Sequence, residues 1–190
     1  MRFVSQYRAL LAAFLLIALP ATVLFAQQRP AVSAAPAASA DVIARGKYLV
    51  TIQDCNGCHT PFKNGEPDLT RMFQGHPASE KITGPPTKQT GWATAISDTN
   101  TAWSTPAGVA FTSNLTPDKA TGIGNWTEDM FMKAIRTGKH LGAGRPIMPP
   151  MPWKMYSNAT DADLKAIFAY LKTVPPIVNK VPDPIMPGQK

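Results

Sequence analysis

Apolar residues fall at helical spacing in three stretches of the chain. Val42, Gly46, Leu49 and Val50 predict a first helix that starts near Asp41, capped by Ser39 or Asp41, and runs to Cys55. Phe131, Ala134 and Ile135 mark the buried face of a second. Thr127 is its N-cap, Glu128 and Asp129 suit the first turn, Trp126 can staple onto Phe131, and Gly138 stops it. Leu164, Ile167, Phe168 and Leu171 mark a last helix, with Thr160 as cap and Asp163 at the capping-box position. Lys172 suits its end, and Val174-Pro175-Pro176 terminates it. Gly46 weakens the first helix by about 1 kcal/mol relative to Ala. A tight helix crossing would require it, and the expected contact is the face carrying Ile167 and Tyr170.

Between the first two helices the pattern changes. From Phe62 to Thr112 the chain carries Gly65, Gly75, Gly84, Pro85, Pro86 and Gly91, so it turns often. Trp92 to Ser97 and Val109 to Ser113 read as weak strands, which predicts a small two-stranded antiparallel element. Trp92 and Trp103 are expected to pack, and His76, in Gly75-His76-Pro77, to be an exposed turn residue. The Pro-rich tail from Val178 onward should lie extended along the surface or be disordered. The predicted class is mainly α, with a long loop insert able to hold a small β-hairpin.

The ends differ from the middle. Arg2 and Arg8 precede an almost wholly apolar run from Ala9 to Ala26, the pattern of a secretory signal. Leu24 is large for the −3 position of a cleavage site, and the run is about long enough to span a bilayer. A cleaved signal and a retained inner-membrane anchor over 9–26 both remain open, and either exports the globular part. Residues 27–40 are rich in Ala, Pro and Ser and read as a flexible linker. The expected division is 1–26 signal or anchor, 27–40 linker, 41–178 one folded domain and 179–190 tail. Its 190 residues leave little for a second domain. The formal charge of +7 is mild, and no basic run interleaved with aromatics exists, so nucleic acid is not an expected partner.

The chemistry lies in Cys55-Asn56-Gly57-Cys58-His59. Two thiols at this spacing can each form a thioether to a porphyrin vinyl group, and the adjacent imidazole can ligate the iron; this is the attachment signature of one covalent c-type haem. A thioredoxin-like pair, half a zinc site and a disulfide compete. Zinc needs about four ligands, and these are the only two cysteines. A redox pair is expected between a strand and a helix, whereas Pro61 and Lys63-Asn64-Gly65 follow here. The adjacent His favours haem alone. With haem propionates counted and Arg2 and Arg8 removed, the charge falls to about +3, a slight bias towards acidic partners or anionic membrane surface.

Pro149, Pro150 and Pro152 surround Met151 and stiffen its loop. A thioether binds iron weakly, so pre-ordering its backbone lowers the entropy cost of ligation. Met148 and Met155 read as gap fillers, and His140 as a polar loop residue.

The first helix, Cys-x-x-Cys-His, the Met loop and a last helix reading Ala169-Tyr170-Leu171-Lys172 resemble a class I c-type cytochrome. Cys58-His59-Thr60-Pro61, Ser113-Asn114-Leu115-Thr116-Pro117-Asp118, Thr121-Gly122-Ile123-Gly124 with Trp126, and Pro150-Met151-Pro152 resemble, more narrowly, the cytochrome domains of membrane-bound alcohol and gluconate dehydrogenases. The likeness covers about residues 41–178. This chain has one haem motif where those subunits usually have several, and a longer insert between His59 and Ser113. The resemblance implies a cytochrome c fold, three or more helices around the haem. It implies His59 and Met151 as axial ligands and places Leu115 at the haem. It also implies the Ser113 carbonyl as acceptor for the His59 Nδ1–H, with Pro61 and Pro85 as rival acceptors.

The implied function is one-electron transfer by a periplasmic carrier, haem in these bacterial proteins being attached after export. Partners would be a dehydrogenase donor and an oxidase or cytochrome acceptor. A haem-bearing subunit docked to a periplasmic dehydrogenase is the alternative. A peroxidase or gas sensor with an open sixth site is the third reading, and a stiff Met151 loop opposes it. No catalytic constellation accompanies the haem motif.

Overall fold

The computed structural model describes residues 38–84 and 92–188. The expected signal or anchor, nearly all of the linker, and Pro85 lie outside the described residues. Among those described, no helix is long and apolar enough to cross a membrane.

Helix α1 (Ala40–Ile52) is capped by Ser39, whose hydroxyl accepts from the Val42 N–H, and it buries Gly46, Leu49 and Val50. Helix α2 (Cys55–His59) is a single turn started by Asp54, which caps the Gly57 N–H. Helix α3 (Glu128–Thr137) begins at the Thr127 cap and ends at Gly138, burying Phe131, Ala134 and Ile135. A short helix, α4 (Trp153–Tyr156), precedes α5 (Asp161–Leu171), which has Thr160 as its cap. Asp163 stands at the third position of α5 and also pairs with Arg45 of α1 at 2.9 Å. With 52% and 22% of the two side chains exposed, water screens that pair.

Helices α1 and α5 cross at Gly46. A Cβ there would stand 1.9 Å from the Ala166 carbonyl oxygen and 2.8 Å from the Tyr170 Cβ, so only glycine admits this approach. Leu49, Val50, Phe73, Ile123, Phe131, Ile135, Leu164, Ile167, Phe168 and Leu171 form the main apolar cluster between the helices. The Phe131 and Phe168 rings lie 5.3 Å apart within it.

The insert after α2 contains more sheet than the sequence indicated. Strands β1 (Phe62–Lys63) and β2 (Glu66–Pro67) make a tiny hairpin around Asn64-Gly65. Further on, β3 (Ala95–Ile96), β4 (Ala102–Thr105) and β5 (Gly108–Phe111) form an antiparallel sheet in chain order. The expected pairing of 92–97 with 109–113 is therefore corrected: Ala102–Thr105 lies between them as the central strand. Ala102, Val109 and Phe111 on one face make a second cluster with Ile82, Val181 and Ile185.

Two further expectations change, and one is sharpened. His76 is not exposed but wholly buried. Its Nδ1 lies 2.9 Å from the Thr101 hydroxyl, and its ring packs against Phe111 at 4.8 Å. Trp92, expected to pack, is 72% exposed. The tail is extended but fastened. Ile185 exchanges two backbone hydrogen bonds with Val109, of 2.8 and 3.0 Å. Buried Asn179 donates to the carbonyls of Gln74 and His76 and accepts from the Ala78 N–H. Packing thus continues past residue 178.

Candidate haem site

Asp54 adopts a left-handed conformation (φ 51°, ψ 41°) that breaks the chain between α1 and α2 and sets the Cys-x-x-Cys-His turn at the end of α1. Cys55 and Cys58 are both free and partly buried. Burial, with the Asp54 carboxylate nearby, pushes the Cys55 thiol up to about 12 and raises Cys58 as well. Nothing here stabilises a thiolate, as an exchange-active pair or a zinc ligand requires. The turn is held from the insert by Asn100, whose side-chain amide donates to the Gly57 carbonyl at 2.6 Å, and by Phe62 N–H to the Thr99 carbonyl at 2.9 Å. Sequence reasoning found no role for Asn100, which had no signal beyond its polar turn.

His59 is buried, and its Nδ1 lies 2.8 Å from the Ser113 carbonyl oxygen. A carbonyl only accepts, so Nδ1 carries the proton and Nε2 keeps its lone pair. Burial lowers the pKa of the ring, while the Ser113 contact acts weakly the other way, so the imidazole is neutral at neutral pH. A neutral ring with its outer nitrogen fixed by a carbonyl is the state in which histidine ligates a metal. Of the rival acceptors, the Pro61 carbonyl instead takes the Asp68 N–H at 2.9 Å, and Pro85 lies outside the described residues.

The Met loop runs from the end of α3 to α4. It is pinned at the start by Ile147 N–H to the Gly138 carbonyl, at 2.8 Å, and at the end by Trp153, which lies across Gly138 so closely that a Cβ there would be 2.2 Å from its ring. Met151 is half-buried and packs on the main cluster alongside Cys55 and Leu115. Met148 goes elsewhere, its methyl carbon facing Gly108 of β5. His140 is half-buried and meets the Trp126 ring edge-on at 5.3 Å. Cys55, Leu115 and Met151 thus each pack on the main apolar cluster, and His59 is joined to Ser113.

Among the described residues two buried side-chain donors lack partners, Trp103 Nε1 and Thr112 Oγ1. The β4–β5 register sets Trp103 opposite Ala110, so Thr112, two residues on, falls on the same face. Ser113 follows at once. A haem has carboxylates able to accept from such donors, an apolar ring suited to the residues on the main cluster, and an iron for His59. The residues fit that group.

Comparison with known proteins agrees with a c-type haem. The profile of the family described as Cytochrome c matches residues 43–175. The chain is similar to the fructose dehydrogenase cytochrome subunit of Gluconobacter japonicus, 33% identical over 69% of this chain and 21% of the relative. It is similar to the gluconate 2-dehydrogenase cytochrome c subunit of Pantoea cypripedii, 33% identical over 77% of this chain and 26% of the relative. The cytochrome c subunit of the quinone-dependent alcohol dehydrogenase of Gluconobacter oxydans (strain 621H) is 31% identical, over 79% of this chain and 26% of the relative. The chain therefore spans about a quarter of the length of these curated relatives.

Proposed function

The chain belongs to the cytochrome c family and carries a covalently attached c-type haem, and we propose that it is an exported, periplasmic one-electron carrier with His59 and Met151 as axial ligands. The observation that carries this reading is the 2.8 Å contact between His59 Nδ1 and the Ser113 carbonyl, which leaves Nε2 with the lone pair that iron ligation would use. Cys55 and Cys58 would hold the porphyrin as thioethers. Leu115 and the cluster behind it would keep water from one part of the ring, and Trp103 and Thr112 would donate to its carboxylates. The haem supplies a single iron that takes up and releases one electron. A thioether ligand favours the ferrous state and raises the potential relative to a second imidazole.

With His59 and Met151 both holding the iron, no site would be left for a substrate, and the work of the polypeptide would be to hold, insulate and tune the group. The three relatives are named as cytochrome subunits of dehydrogenases. That favours a dehydrogenase as the electron donor, and a docked dehydrogenase subunit as the second reading.

The test is a spectrum of the purified protein. Oxidised protein should show the far-red methionine–iron band, lost in Met151→Ala and kept in Met148→Ala. The reverse pattern would move the ligand to Met148, and a wild-type protein without the band would mean that no methionine ligates.

A further inference from the structure

Tyr156 belongs to none of the motifs read from the sequence, yet it joins the two sides of the site. Its hydroxyl donates a 2.9 Å hydrogen bond to the Gln53 carbonyl, 103 residues away. Gln53 is the C-cap of α1 and stands two residues before Cys55. The Tyr156 ring packs against the main cluster, as do Cys55 and Met151. Burial holds its hydroxyl above the usual tyrosine range. The side chain therefore lies against the cysteine segment while its backbone continues the Met loop.

The Met loop has other anchors, but they lead to α3. Ile147 and Trp153 both engage Gly138, and Arg136 of α3 donates to the Ser157 carbonyl just beyond α4. Of these contacts, only Tyr156 to Gln53 ties the Met151 side to the cysteine side.

We infer that Tyr156 is a positioning residue that clamps the Met151 segment onto the haem-attachment segment and so limits how readily Met151 leaves the iron. The inference rests on the His59/Met151 reading. Thioether ligation is weak, so the bound state competes with an open one in which the segment has swung away. An added ligand captures the open state, and its apparent affinity is scaled by the population of that state. Removing one hydrogen bond that exists only in the closed state should enlarge the open population about fivefold, the equivalent of about 1 kcal/mol.

The experiment uses the ferric holoprotein, imidazole as the added ligand and loss of the far-red band as the signal. Tyr156→Phe, which keeps the ring and removes only the donor, should still bear covalent haem and show the band, with half-saturation at about fivefold less imidazole. Thr160→Ala removes the cap of α5 and lowers global stability without touching the clamp; it should leave the imidazole affinity at the wild-type value. Two results would overturn the clamp: a Tyr156→Phe affinity equal to wild type, or a Thr160→Ala shift of the same size. A wild-type protein without the far-red band would instead overturn Met151 ligation, and the clamp with it, so the two failures are distinct.

Discussion

Adding one methyl group at Gly46 tests the helix crossing directly. The new carbon would stand 1.9 Å from the Ala166 carbonyl oxygen, 2.6 Å from the Ala166 carbonyl carbon and 2.8 Å from the Tyr170 Cβ. A carbon–oxygen contact settles near 3.3 Å, so α1 and α5 must part by about 1.4 Å. The two closest atoms are backbone, and no side-chain rotation relieves them. Parting the helices loosens Leu49 and Val50 from the cluster they share with Leu164 and Ile167. Overpacking of this kind costs about 3 kcal/mol at the upper end of its range. Alanine in place of glycine returns about 1 kcal/mol of helix propensity. The net loss for Gly46→Ala is then about 2 kcal/mol, and Gly46→Val, bulkier and β-branched, should lose more. For a domain of this size each kcal/mol moves the thermal midpoint by roughly 3 °C, so Gly46→Ala should melt about 6 °C lower. Thermal unfolding followed by far-UV circular dichroism gives the answer. A midpoint within about 1 °C of wild type would show that the crossing is looser than described and that the reasoning from contact distance fails.

Two further outcomes concern the insert and the tail. Burial holds the His76 pKa below its ordinary value of 6.5, so the unfolded chain binds a proton that the folded chain refuses. Stability should therefore fall as pH drops through about 6.5 and level off below the folded pKa. His140 shifts in the same direction, so His76→Gln should flatten the fall in thermal midpoint between about pH 7 and 5 without abolishing it, and an unchanged slope would refute the assignment. Asn179→Ala should cost about 2 kcal/mol, because it strands the Gln74 and His76 carbonyls and the Ala78 N–H. A urea midpoint equal to that of wild type would show that the tail is not a fastened part of the domain.

The elements legible in the sequence were those with local causes. Ser39, Thr127 and Thr160 each cap a helix through contacts three residues ahead, and Gly46 broke a helical pattern for a reason visible as soon as a second helix is imagined. The Cys-x-x-Cys-His turn is legible because its chemistry needs adjacent residues. What stayed hidden depends on long-range closure. His76 reads as a turn residue because its neighbours are Gly75 and Pro77. Its burial comes from Thr101, Phe111 and Asn179, the last 103 residues away. Strand β4 was missed because Ala102-Trp103-Ser104-Thr105 has no strong alternation of its own and owes its place to β3 and β5. Tyr156 drew no reading at all, since its partner is a backbone carbonyl that leaves no mark on the sequence.

The Ser113 contact raises that last point for anyone who would retune the protein. The group that meets His59 is a main-chain oxygen, which all twenty amino acids possess. A library of side-chain replacements at residue 113 would thus pass over the contact almost without effect, and a tolerant position would be mistaken for an idle one. The contact is adjustable only by moving the strand end that presents it. That places control with Gly75, where a Cβ would stand 2.6 Å from the Ser113 carbonyl carbon, and with the buried His76 beside it. In a directed search for altered potential, the productive changes should cluster there, one layer behind His59, while residue 113 itself drifts freely.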